Sequence, residues 1–187
     1  MHERRRAVIL GGAGCVWRDL DAARRIGTYD AAIAINDAVA HYPGAVEIFA
    51  TLHIEKAEAW LDERAARGYP PPGLIAAHKG NTNEGRASRL QADYVTDYLW
   101  PGMPASGSSG LFAVKVALEH GYGRIVLCGV PMRAEERHFF DPEPWSDVGK
   151  FTEAWLAALH RIRGHVRSMS GWTRELLGEP DSEWLAG

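Results

Sequence analysis

Residues 104–130 read PASGSSGLFAVKVALEHGYGRIVLCGV. Small residues at 106–110 open a helix whose apolar positions Leu111, Val114, Ala117 and Leu118 follow the 3.6-residue period, and Gly121 closes it. The short β-branched run Arg124-Ile125-Val126-Leu127-Cys128, ended by Gly129, then reads as an interior strand of a parallel sheet. A Ser/Gly loop at a helix N-terminus offers free backbone N–H groups, hydroxyls and the positive end of the helix dipole, which together suit a phosphate or carboxylate. Ser108, Ser109 and Gly110 are therefore a candidate anion cradle. The competing reading is that Ser109 caps the helix and the glycines only turn the chain.

The same alternation extends in both directions. On the N-terminal side, Ala7-Val8-Ile9-Leu10 is a buried strand followed at once by Gly11, Gly12, Ala13 and Gly14, a layout in which missing side chains let a nucleotide phosphate approach backbone. It lacks the full G-x-G-x-x-G spacing, and no acidic residue stands cleanly at the end of the second strand to hold a ribose, which argues against a dinucleotide dehydrogenase. That second strand, Ala31-Ala32-Ile33-Ala34-Ile35, stops at Asn36-Asp37. A third, Val46-Glu47-Ile48-Phe49-Ala50, stops at Thr51-Leu52-His53. Ligands of open parallel sheets bind beyond the carboxyl ends of the strands, so Asn36 and Thr51 become site candidates. Asn36 has a second reading as a turn or cap before a short helix, and His53 and Glu55 stay ambiguous, since a carboxylate is also favoured at a helix start.

A helix over residues 55–68 is expected to turn Trp60, Leu61 and Ala65 inward. A short strand at 74–77, a polar loop at 79–89 and an aromatic, β-branched strand at 94–100 follow. Beyond the central stretch come a charged run, then His138-Phe139-Phe140-Asp141, a long amphipathic helix at 149–163, a last strand at 165–169 and a closing helix at 173–177. Strands alternating with helices in this way predict an α/β fold: a single Rossmann-like three-layer domain with about six or seven mostly parallel strands.

Composition agrees. The chain has 187 residues, 46% hydrophobic and 24% charged, with net charge -3, so nothing draws it to nucleic acid or an anionic membrane. No apolar run is long enough for a membrane span or a secretory leader, and a cytoplasmic location is expected. Two cysteines without C-x-x-C spacing make neither a disulfide framework nor a zinc site, and Cys128 reads as a small core residue. Trp60, Trp155 and Trp172 read as packing residues. Trp172 and Trp184 together have two readings, core packing or the self-association surface of a homo-oligomer.

Taken together, these features resemble the small bacterial sialyltransferases that use a CMP-sugar donor. The resemblance runs through the glycine turn Gly11-Gly12-Ala13-Gly14, Asn36 and Thr51 at strand ends, and Ser108-Ser109-Gly110, Ala117, Gly121-Tyr122, Ile125, Leu127 and Gly129, followed by His138-Phe139-Phe140-Asp141. It implies a nucleotide-sugar glycosyltransferase in which Gly11, Gly12, Gly14, Asn36, Thr51, Ser108, Ser109 and Gly110 meet the nucleotide. The donor is a substrate, and no further cofactor is implied. Archaeal 6-hydroxymethylpterin diphosphokinases share a similar sheet and are the nearest rival. Under that reading Asp141 and Glu143 would hold Mg²⁺ beside a diphosphate; a solvated turn is the other reading of that pair.

The chain departs from the sialyltransferases in two places. Trp145-Ser146-Asp147 occupies the region before the late helix where the family has its catalytic histidine, and the family's lid insertion is short or missing. His138 is then the catalytic candidate, because imidazole titrates near neutrality and this one stands where a family tyrosine stabilises the leaving phosphate. A non-catalytic nucleotide-binding module of the same fold is the remaining alternative.

Overall fold

The computed structural model describes residues 5–79, 90–103, 108–141, 143–145 and 148–187. The start of the Ser/Gly loop at 106–107, most of the polar loop at 79–89 and Ser146-Asp147 lie outside them. The first strand, β1 (Arg5–Leu10), is followed by α1 (Val16–Ile26), β2 (Ala31–Ile35), α2 (Ala38–His41), β3 (Ile48–Thr51) and α3 (Ile54–Ala66). Then come β4 (Leu74–His78), β5 (Tyr94–Thr96), α4 (Ser109–Glu119), β6 (Tyr122–Cys128), α5 (Gly149–Ile162), β7 (Val166–Ser168), α6 (Gly171–Leu177) and α7 (Ser182–Ala186). Among the described residues seven strands form one sheet in the order β5-β4-β3-β2-β1-β6-β7. Every neighbouring pair is parallel.

Strand residues alternate between two apolar layers, as the two-residue period of a strand requires. Val8, Leu10, Ala32, Ala34, Phe49, Val126 and Cys128 face α1, α2 and α3. Ala7, Ile9, Ile33, Ile35, Ile48, Ala50, Ile125 and Leu127 face α4 and α5. Because both faces are covered, the strands are apolar runs and not polar–apolar alternations. α4 is buried on nearly every side, Gly110 through Ala117 without a break, since it lies across β1, β2, β3 and β6. Among the described residues no helix is long and apolar enough to cross a membrane.

Two details depart from the pattern. In α3 the side chain turned inward beside Ala57 is Arg64, 1% exposed, whereas Ala65 is exposed. The guanidinium donates to the carbonyls of Val39 at 2.6 Å, Tyr42 at 2.7 Å and Gly44 at 2.8 Å, and to that of Pro70. Periodicity could not foresee this, because the acceptors are brought together by the end of α2 and two loops. Trp172 and Trp184, for their part, do not form one patch. Trp172 packs on the α4–α5 layer and Trp184 on the opposite one, with the guanidiniums of Arg124 and Arg167 5.1 and 5.6 Å from its ring centroid.

Both cysteines are buried thiols. Burial, with Asp19 nearby, pushes the Cys15 thiol up to about 12 and Cys128 well above its ordinary value. A thiolate is the reactive form, so the folded protein should release no colour from Ellman's reagent at about pH 8 and react at both thiols once denatured. Rapid reaction of the native protein would show that α1 or β6 opens readily.

Candidate functional site

The strand order reverses at β1. Successive crossovers step from β1 outward to β5, after which α4 carries the chain back to β6 on the other side of β1. Ligands of such sheets bind in the crevice outside the carboxyl ends of the strands at this switch point. A cleft of about 480 Å³ lies there, within the usual size of a small-ligand site.

The structure brings six of the candidate nucleotide contacts to this cleft, Gly11, Gly12, Asn36, Ser108, Ser109 and Gly110, together with His138, Asp141 and Glu143. Asn36 adopts the left-handed region, φ 49°, which asparagine tolerates better than most residues. It does not cap α2. Its amide donates to Ser109 Oγ at 3.3 Å and its carbonyl oxygen accepts from Thr51 Oγ1 at 2.9 Å, so β2, β3 and the start of α4 are tied by one side chain. Thr51 is fully buried and does not line the cleft. Its hydroxyl also accepts the N–H of His53 at 2.8 Å, so it sets the positions of Asn36 and His53 from behind.

At the start of α4 the capping residue is Ser108 and not Ser109. Ser108 Oγ accepts from the N–H of Leu111 and from Trp155 Nε1 at 3.2 Å. The backbone N–H groups of Ser109 and Gly110 have no partner among the described residues, and both residues line the cleft at the positive end of an 11-residue helix.

The glycines after β1 serve packing first. Gly11 leaves room for backbone, since a Cβ there would stand 2.2 Å from the carbonyl oxygen of Gly129. Its N–H is bound to Cys128 and that of Ala13 to Gly129. Gly14 lies outside the cleft, donating its N–H to Arg137. A Cβ on Gly12 would fall 2.4 Å from His138 Nε2, so that glycine admits the imidazole ring. His138 is held there by antiparallel pairing with Ala13 and by the rings of Phe139 and Phe140, 4.5 and 4.1 Å away.

Several residues of the cleft carry no signal in the local pattern. Asp37, 6% exposed, places Oδ2 3.2 Å from His138 Nε2; its place at the end of β2 beside Asn36 was the one available clue. Gly129, Val130 and Met132 form the opposite wall beyond β6, and Lys150 and Phe151 reach it from α5. Met132 is held at φ 51°, with Pro131 fixed by the N–H of Trp172 on its carbonyl at 2.7 Å. A strained residue of this kind survives only where its surroundings over-determine it. Asp141 and Glu143 form an exposed turn in which Asp141 Oδ1 accepts the N–H of Glu143 at 2.9 Å.

The cleft therefore combines polar groups (Asn36, Asp37, Ser109, the start of α4, His53, His138, Asp141, Glu143 and Lys150) with apolar ones (Ile35, Val130, Met132, Trp145, Val148 and Phe151). The start of α4 with Lys150 suits an anionic group, and the apolar residues suit a flat or hydrophobic one. No family model, curated protein or solved structure matches the chain.

Proposed function

We propose that the cleft binds a nucleotide sugar with a CMP-type donor and that the protein transfers its sugar with inversion, as the resemblance to bacterial sialyltransferases implies. The observation that carries this reading is the convergence, at the switch point of a parallel sheet, of Asn36 with the first-turn residues Ser109 and Gly110, whose N–H groups have no partner among the described residues. In this reading the donor phosphate sits at the start of α4. Lys150 adds positive charge at the rim, and the apolar residues of the cleft take the base. His138 closes the wall above Gly12 and fixes Asp37.

Isothermal titration of the purified protein with CMP, CDP, UDP, GDP and ADP tests the reading; CMP is expected to bind most tightly. Asn36→Gly is the matching variant, because glycine accepts the left-handed backbone while the amide is lost. It should weaken CMP by about tenfold or more, the worth of one or two hydrogen bonds to a charged group, and lower stability by about 1–3 kcal/mol, because the buried Thr51 hydroxyl loses its acceptor while the protein stays folded. No binding of any nucleotide would overturn the reading. Mg²⁺-dependent release of AMP from ATP in the presence of a pterin would replace it with the pyrophosphokinase assignment.

A further inference from the structure

Among the described residues two imidazoles line the cleft, and each has a carboxylate beside a different ring nitrogen. His138 turns Nε2 toward Asp37 at 3.2 Å, and its Nδ1 is buried with no hydrogen-bond partner among the described residues. Its side chain is 18% exposed. Nδ1 is therefore closed to a ligand, and Nε2 lies against the Asp37 carboxylate. His53 turns Nδ1 toward Glu55 Oε1 at 3.2 Å, and its side chain is 42% exposed at the cleft. A carboxylate on Nδ1 selects the tautomer with the proton on that nitrogen and leaves the Nε2 lone pair facing outward, which is the arrangement of an oriented general base.

The backbone reinforces the difference. His53 stands immediately before α3, and its N–H is bound by the same Thr51 hydroxyl that holds Asn36. The imidazole is thus fixed relative to the residue proposed to meet the donor. Glu55 lies in the first turn of α3, where a carboxylate is favoured by the helix dipole, so its position does not depend on the histidine alone.

From this geometry we infer that His53, oriented by Glu55, is the proton acceptor of the site, and that His138 is a wall residue. The inference rests on the glycosyl-transfer reading above. The acceptor hydroxyl oxygen attacks the anomeric carbon and its proton passes to His53 Nε2. The bond from that carbon to the phosphate oxygen breaks, its electron pair leaving with CMP. The products are the glycosylated acceptor, CMP and a protonated His53. With water in place of the acceptor, the same step is donor hydrolysis, which can be measured before the acceptor is identified.

Two measurements on the full chain test the inference. In the first, the native protein is treated with diethyl pyrocarbonate and the modified histidines are mapped by mass spectrometry, with and without saturating CMP. His53 should be modified faster than His138 and should be protected by CMP. Equal or faster modification of His138, or no protection of His53 while CMP is bound, overturns the inference. The second measurement follows CMP release from CMP-sialic acid by the unmodified protein and by His53→Gln. The variant should be slower by about a hundredfold or more, the usual contribution of a positioned acid or base, with CMP affinity within about twofold. His160→Gln, on the exposed side of α5, serves as the control and should match the unmodified protein. A His53→Gln rate equal to that of the unmodified protein, or an unmodified protein that binds CMP yet releases none from the donor, overturns the inference and leaves nucleotide binding standing. Failure of CMP to bind at all is the separate result that removes the functional reading beneath it.

Discussion

Gly129→Ala is expected to remove about 3 kcal/mol or more of stability, a large share of what a domain of this kind possesses. Two effects act at the same atom. Gly129 has φ 70°, where a side chain costs about 1–2 kcal/mol, and a Cβ there would lie 2.5 Å from the Cβ of Val16 and 2.9 Å from its Cα. Neither neighbour is the free end of a flexible side chain, so α1 would have to move off the sheet. The N–H of Gly129 is also bound to the buried carboxylate of Asp19 at 3.0 Å, which accepts Ser170 Oγ at 2.6 Å as well. Displacing the glycine disturbs that group too. Gly121→Ala is the informative comparison, because Gly121 has a similar φ of 81° and a methyl group added there would meet nothing within 4 Å. It should lose only about 1 kcal/mol. Urea unfolding of both variants separates the torsional from the steric contribution; equal losses would mean that α1 and the end of β6 are not packed as described.

Arg64→Met should cost a comparable amount, about 3–5 kcal/mol, for a different reason: it removes one partner of a buried, charged hydrogen-bond network. A buried cation without a carboxylate partner is normally costly, and burial lowers the Arg64 pKa from its usual value. Arginine nevertheless remains charged, and here its planar fork meets four carbonyl groups, two of them at the end of α2 where the helix dipole favours a cation. Methionine fills a similar volume but leaves those carbonyls without donors, each buried one at a cost of about 1–3 kcal/mol. Arg64→Lys keeps the charge and loses the fork, and should recover part of the stability. The midpoint of urea unfolding should fall in both variants with an unchanged slope. A loss below about 1 kcal/mol in Arg64→Met would mean that water reaches the carbonyls.

Both predictions fall where tertiary structure overrides local pattern. The fold itself was legible because its cause is local. Runs such as Ala7–Leu10, Ala31–Ile35 and Ile125–Cys128 are apolar at every position, which only a strand covered on both faces requires, and each is followed by a helical period. The edge of the sheet was less legible. The pattern at 94–100 reads as one strand, yet β5 ends at Thr96, where Asp97 turns the chain by accepting the N–H of Leu99 at 3.0 Å.

Local pattern was enough for the class of fold, for the polar residues at the carboxyl ends of the strands, and for the helix start at Ser108–Gly110 that faces the cleft. What each of those residues touches came from packing alone. Packing put Thr51 behind Asn36, filled the space above Gly12 with the His138 ring, and gave His138 and His53 carboxylates on opposite nitrogens. Strand and helix periodicities are set by neighbours along the chain, whereas these contacts join residues brought together by the order of strands. That order, with its reversal beside β1, is a property of the assembled sheet that no local pattern encodes.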